Sequence, residues 1–278
     1  MNDKNIILCA DDFALSAGVS STICELIQMG RLSATSCMTV FPEWYEHASW
    51  LKPSASLVDV GLHLTLTDQV PLSSMAYLAP DRRLPRIDLL VRKAYLGRLD
   101  RQEIEIELNR QFDTFVDAFG QTPDFLDGHQ HVHQLPIVRD IVIDIYCKRM
   151  KRGYIRSCTD QLRWIYARKI AVAKSTVINL MGQTFLSDAK RKNISMNDGF
   201  SGIYKFEMST RYSEMFKRFL MGTRQNSIIM CHPAKIDKQL KNRDSMVGVR
   251  AGEWEFLKSD LFLETMSQSR VNVARFTA

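Results

Sequence analysis

The sequence predicts an α/β fold in which parallel strands are joined by helical crossovers, as in an α/β barrel or a doubly wound sheet. Two observations predict it. Short apolar runs alternate with stretches at helical spacing along the whole 278-residue chain, the pattern of repeated strand–helix units. The residues best suited to chemistry, Asp11, Asp12, His63, Asp127, His129 and His232, follow or end predicted strands. In a parallel fold those ends share one face, where ligands bind and catalysis occurs.

Taken in order, "IILCA" at residues 6–10 is the first strand. Residues 16–30 follow as a helix, with Val19, Ile23, Leu26 and Ile27 on one face and Gly30 to end it. "SATSCMTVF" reads as a strand, "PEWYEHASWL" as a helix and "LVDVGLHLTL" as a strand. The clearest helix spans residues 100–120: Asp100 and Glu103 make an N-terminal capping pattern, Ile104, Leu108, Phe112, Phe115 and Phe119 line one side, and Gly120 closes it. "DFLD" is then a strand, "LPIVRDIVIDIYCKRM" a helix and "GYIRS" a strand. "NSIIMCH" is a strand, residues 253–266 a helix and "RVNVARFT" the last strand. The chain reads as a single domain over residues 1–278, with long inserts at about 67–99 and 158–225 that exceed a plain strand–helix connection.

At 45% hydrophobic and 24% charged, the composition is that of a soluble globular protein. The apolar run at the N-terminus is too short for a signal peptide, and no stretch approaches the length of a membrane span. The six cysteines are scattered without a CxxC pair, which points to reduced thiols rather than a disulfide framework or a zinc knuckle. A cytoplasmic protein is expected. The net charge of +6 is uneven: residues 148–192 hold twelve Lys or Arg against two Asp. That segment suggests two readings, a solvated basic face or a docking surface for an anionic membrane or lipid-linked sugar at its inner face. Nucleic acid is not expected, because aromatics are not interleaved with the cations as a stacking platform requires. A homodimer is left open.

Five of the six histidines lie at strand ends, three of them in "DGHQHVH". In an extended segment, period 2 would put His129, His131 and His133 on one face. A carboxylate with two neutral imidazoles makes a mixed oxygen and nitrogen site for a divalent metal with positions open to water and substrate. Of two adjacent aspartates, one can bind the metal while the other acts as a base, and His232 remains to protonate a leaving group. Arg156, after "GYI", ends a strand and is placed to contact a substrate's hydroxyls or a phosphate at the mouth of the site. A metal-dependent phosphoesterase or cyclic amidohydrolase, and a non-catalytic sugar or glycolipid binder, are the competing readings.

"ADDF" at residues 10–13, "GLHLTLT" at 61–67, "DGHQHVH" at 127–133 and "CHP" at 231–233, with "GEWEFL" near the end, occur in this order. Together they resemble the YdjC-like carbohydrate deacetylases, the family of chitooligosaccharide deacetylase and the hopanoid-associated deacetylases. The resemblance implies a distorted (β/α) barrel related to the polysaccharide deacetylase (NodB-like) fold, with its active site at the C-terminal ends of the strands. It implies a hydrolase that removes an N-acetyl group from an amino sugar, free or lipid-linked, by attack of metal-bound water. By motif, Asp12, His63 and His129 would bind one divalent ion, Zn²⁺ or Mg²⁺. Asp11 would be the catalytic base and His232 the acid, with Asp127, His131 and His133 in supporting hydrogen bonds. Where the family usually has Gly after "ADDF", this chain has Ala14. A positive φ at that position would strain the turn beside the two aspartates.

Overall fold

The computed structural model describes residues 3–150, 152–205, 211–244 and 246–277. Its strands are β1 (Lys4–Phe13), β2 (Ala34–Cys37), β3 (Asp59–Leu64), β4 (Phe125–Gly128), β5 (Tyr154–Ile155), β6 (Phe200–Ser201), β7 (Ser227–Cys231) and β8 (Val271–Val273). All pair in parallel in the order β5-β4-β3-β2-β1-β7-β6, and β8 pairs the first residues of β1. The two ends of that order, β5 and β6, are joined across the seam by residues 195–199. Ile155 N–H donates to Ser195 O at 3.0 Å, and Asn197 Nδ2 donates to Ser157 O at 2.9 Å and Gly199 O at 2.8 Å. The result is a distorted parallel barrel, one of the two architectures that the strand–helix alternation allows and the one that the resemblance implies.

Around the barrel lie α1 (Ala17–Gln28), α2 (Trp44–Leu51), α3 (Ile87–Tyr95), α4 (Arg101–Phe119), α5 (Val138–Arg149), α6 (Leu162–Arg168), α7 (Val172–Arg191), α8 (Tyr212–Phe219), α9 (Lys238–Arg243), α10 (Val247–Lys258) and α11 (Asp260–Ser269). Helix α4 is capped as its sequence predicts: Asp100 accepts from Glu103 N–H at 2.8 Å, and Gly120 stops the helix at φ 90°. The Glu103 side chain does not complete a reciprocal box; it accepts from the backbone of Tyr77 and Leu78 instead. One turn on, buried Glu107 accepts from Leu72 and Ser73, so α4 tethers the 67–99 insert to the rim.

Alternation along the strands explains how the site is built. Ile7, Cys9, Phe125, Tyr154, Ile228 and Met230 point into a small interior cluster. Ile6, Leu8, Ala10, Val60, Leu62, Leu126, Ile155 and Ile229 point outward into the larger core under the helices. Continuing the inward register to the strand ends places Asp11, His63, Asp127, Arg156 and His232 inside one rim. Asp12 would face outward in a regular strand. Its φ of 67° and the register shift against β2 between Ala10 and Phe13 turn it back, so that adjacent aspartates serve one site.

Several boundaries differ from the sequence reading. The strand at "SATSCMTVF" ends at Cys37. The final helix divides at Ser259 into α10 and α11, this one residue being both the C-cap of α10 and the N-cap of α11. The 158–225 stretch is not one insert, since it contains α6, α7, β6 and α8. Among the described residues no helix is long and apolar enough to cross a membrane. Of the cations in the basic segment, Arg156 and Arg168 are buried in ion pairs, with Asp11 and Asp160 respectively.

Candidate active site

Asp12 lies at the centre of the rim. Its Oδ1 is 3.4 Å from His63 Nε2 and 3.1 Å from His129 Nδ1, and the three ligand atoms lie within 4.8 Å of one another. An ion with bonds of 2.0–2.1 Å to oxygen and nitrogen in tetrahedral array needs ligand atoms about 3.3 Å apart. The donor set and its spacing therefore fit a divalent metal. A second cluster, Asp11, His63 and Asp127, is as tight. There, however, the Arg156 guanidinium already touches both carboxylates, a poor setting for another cation.

His63 is aimed by its other nitrogen. Nδ1 lies 2.7 Å from Asp127 Oδ1 and 3.1 Å from Ser36 Oγ, and Ser36 Oγ in turn donates to Asp127 at 2.5 Å. The carboxylate thus fixes the ring so that Nε2 faces Asp12, as second-layer carboxylates do behind metal-binding histidines. Burial alone would depress the His63 imidazole, but the Asp127 charge and hydrogen bonds to Asp12 and Asp127 outweigh it and lift the group to about 10. Burial also works against the Asp12 charge, yet Arg250 and His129 hold its carboxyl well below the usual carboxylate range.

Asp11 is held from the opposite side. Arg156 donates to it through Nη1 and Nη2, both at 2.7 Å, and Nη2 is also 2.7 Å from Asp127 Oδ2. The sequence reading put Arg156 at the mouth of the site, in contact with substrate. The structure corrects this: the side chain is 0% exposed, and its planar fork is committed to two carboxylates inside the barrel.

The "DGHQHVH" segment is not extended after Gly128. Residues His129–Gln134 form a 3-10 turn with φ of 52° at Gln130 and 64° at His131, so the expected common face of three histidines does not exist. His129 alone turns to Asp12. His131 packs on Phe200 and lies 3.4 Å from Cys158 Sγ, and His133 packs on Phe185 with Nε2 3.0 Å from Arg156 O. Burial pushes both imidazoles down, His133 to about 4. The tight return needs Gly128, where a Cβ would sit 2.9 Å from His133 N. Ala14 does adopt a left-handed backbone, φ 76°, held by a hydrogen bond from its N–H to Ser20 Oγ at 3.0 Å.

His232 follows β7 and is buried, and that burial holds its imidazole down at about 4. Its backbone N–H donates to Glu253 Oε2 at 2.5 Å, while the Tyr204 hydroxyl donates to Oε1. Arg250, one turn earlier on α10, donates from Nη2 to Asp12 Oδ2 at 2.6 Å. Ser36, Tyr204, Arg250 and Glu253 escape a reading of strand-end motifs. The one available signal is the i, i+3 spacing of Arg250 and Glu253 in "VRAGEWEFL", which puts both charges on a single face of the helix.

Burial raises Glu253 from 4.5 to about 7, against the hydrogen bonds from Tyr204 and His232 that favour its charge. Its folded pKa lies above its unfolded value, so its contribution to stability is complete below pH 4.5 and is lost as pH rises through about 7. Glu253→Gln removes this titration. Urea unfolding at both ends of that window should show the variant gaining on the wild type as pH rises, by about 3 kcal/mol at most. A difference independent of pH would contradict the buried, proton-holding carboxyl.

The profile of the YdjC-like protein family matches residues 5–268. A chitooligosaccharide deacetylase of Yersinia enterocolitica is 32% identical over 270 residues, covering 96% of this chain and 95% of that protein. A second, from Klebsiella pneumoniae, is 29% identical over 261 residues, covering 92% of each. Among solved structures, a protein of Enterococcus faecalis V583 provisionally named for cellobiose-phosphate cleavage superposes with a TM-score of 0.77 at 20% identity, over 99% of this chain and 98% of that one. The peptidoglycan N-acetylglucosamine deacetylase Bc1960 shares the fold with a TM-score of 0.50 at 10% identity, over 99% of this chain and 87% of that one.

Proposed function

This chain belongs to the YdjC-like protein family, and from that premise we propose that it is a metal-dependent carbohydrate N-deacetylase acting on an N-acetylated amino sugar. The observation that carries the reading is the convergence of Asp12 Oδ1, His63 Nε2 and His129 Nδ1 beside a second carboxylate, Asp11, at one end of the barrel. Asp12, His63 and His129 would hold the ion, zinc or magnesium, which would supply a lowered pKa for a water and polarisation of the acetamide carbonyl.

The chain's own residues do the rest. Asp11 takes the proton of the attacking water, with Arg156 fixing both carboxylate oxygens in direction and supplying a counter-charge. Asp127 and Ser36 keep His63 turned toward Asp12. His232 gives a proton to the amine as the C–N bond breaks. Burial leaves its ring neutral near pH 7, so the proton it delivers is the one the attacking water gave up to Asp11, passed on before the C–N bond breaks, and both groups end the turnover as they began it. His131 and His133, turned to Cys158 and to the Arg156 carbonyl, brace the floor of the site.

The two relatives named for chitooligosaccharides make short β-linked N-acetylglucosamine oligomers the first substrates to try. Metal-reconstituted protein should release acetate from these oligomers, and metal-stripped protein should not. A panel that also holds free N-acetylglucosamine and a lipid-linked N-acetylglucosamine identifies the preferred class. No acetate from any of them, with metal bound, would reject the deacetylase reading and turn attention to phosphoesters.

A further inference from the structure

The two oxygens of Asp12 face different partners. Oδ1 points to His63 and His129, while Oδ2 accepts a 2.6 Å hydrogen bond from Arg250 Nη2. Arg250 reaches this point from α10, some 238 residues away in sequence, and is 1% exposed. It is anchored at two further places: Nε donates to Asp244 Oδ2 at 2.5 Å, and its own carbonyl accepts from Ala234 N–H at 3.2 Å. Ala234 lies two residues after His232, so the same residue also ties α10 to the "CHP" turn.

Placing a guanidinium beside a cation site works against the cation, so a merely attractive role is an incomplete account. Its geometry supplies another. A carboxylate with both oxygens free can chelate a divalent ion, which consumes a coordination position. A hydrolytic metal site needs such positions for water and substrate. We propose that Arg250 is a positioning residue that caps Oδ2 of Asp12, leaving this carboxylate only Oδ1 to offer a divalent cation and so keeping a position open at the metal. The proposal rests on the metal site described above. The planar fork suits the task because one edge reaches Asp12 while Nε stays on Asp244, a division that the point charge of a lysine cannot reproduce.

The test compares wild type, Arg250→Met, Arg250→Lys and Asp244→Asn, each folded by circular dichroism. Zn²⁺ affinity is measured by chelator competition, coordination by the visible spectrum of the Co²⁺ form, and turnover by acetate release. If Arg250 caps Oδ2, Arg250→Met binds Zn²⁺ at least as tightly as wild type, and its Co²⁺ bands change in position and intensity. Its kcat falls about 10- to 100-fold, with KM changed less than about threefold. Arg250→Lys shows the same shift despite keeping its charge. Asp244→Asn, which loosens only the anchor, shows a smaller change of the same sign and serves if Arg250→Met fails to fold. Variants that lose Zn²⁺ affinity in parallel with kcat, or whose Co²⁺ spectra match wild type, overturn the cap. Wild type that binds no Co²⁺ overturns the metal site and the cap with it, a result distinct from either.

Discussion

Arg156→Met is expected to lower the unfolding free energy by about 3–5 kcal/mol, as removal of one partner from a buried ion pair does. The guanidinium is 0% exposed and is the common donor to Asp11 and Asp127, themselves 2% and 0% exposed. Methionine fills similar volume but leaves two carboxylates facing each other across a dry interior. Since Asp127 also aims His63, turnover should be lost along with stability. Arg156→Lys should recover only part of both, because one ammonium cannot pair with two oxygens of Asp11 and reach Asp127 as well. Combining Arg156→Met with Asp11→Asn should destabilise by less than the sum of the single changes, because the second substitution removes a charge that the first stranded. Urea unfolding of wild type, the three single variants and the double variant checks this. A loss under about 1 kcal/mol for Arg156→Met, the scale of an exposed pair, would mean that the network is not sealed from water.

The second large effect separates the two kinds of residue at the rim. His63→Ala is expected to lose both bound metal and turnover: it removes one of three converging ligand atoms and leaves the hydrogen bonds of Asp127 and Ser36 without their target. Asp11→Asn is expected to lose turnover alone. An amide of the same shape keeps a contact to Arg156 but cannot accept a proton as a base, and Asp11 is absent from the Asp12, His63, His129 set.

Much of this arrangement is legible along the chain because strand ends in a parallel barrel share one face. Asp11, Asp12, His63, Asp127, His129 and His232 are each read at such an end, and the structure brings them to one rim. What the sequence conceals is direction. A period-2 reading of "DGHQHVH" assumes an extended backbone, whereas the left-handed residues at Gln130 and His131 send the three rings to different neighbours. Arg156 reads as a cation at the mouth, but the inward register of β5 drives it into the barrel, where two carboxylates compensate its charge. Arg250 and Glu253 are hidden for a different reason: their partners, Asp12 and the His232 backbone, lie on other elements, and helical spacing shows only that they share a side. Ala14 is the reverse case, since a departure from the family's usual glycine marks a left-handed position that the chain keeps at some strain.

Metal content and acetate release, measured side by side on wild type, Asp11→Asn and His63→Ala after reconstitution with Zn²⁺, separate the metal ligands from the base. About one ion per chain with turnover is expected in the wild type, wild-type metal without turnover in Asp11→Asn, and neither in His63→Ala. Asp11→Asn that comes back without metal, or that still releases acetate, would contradict the division of labour between the two aspartates.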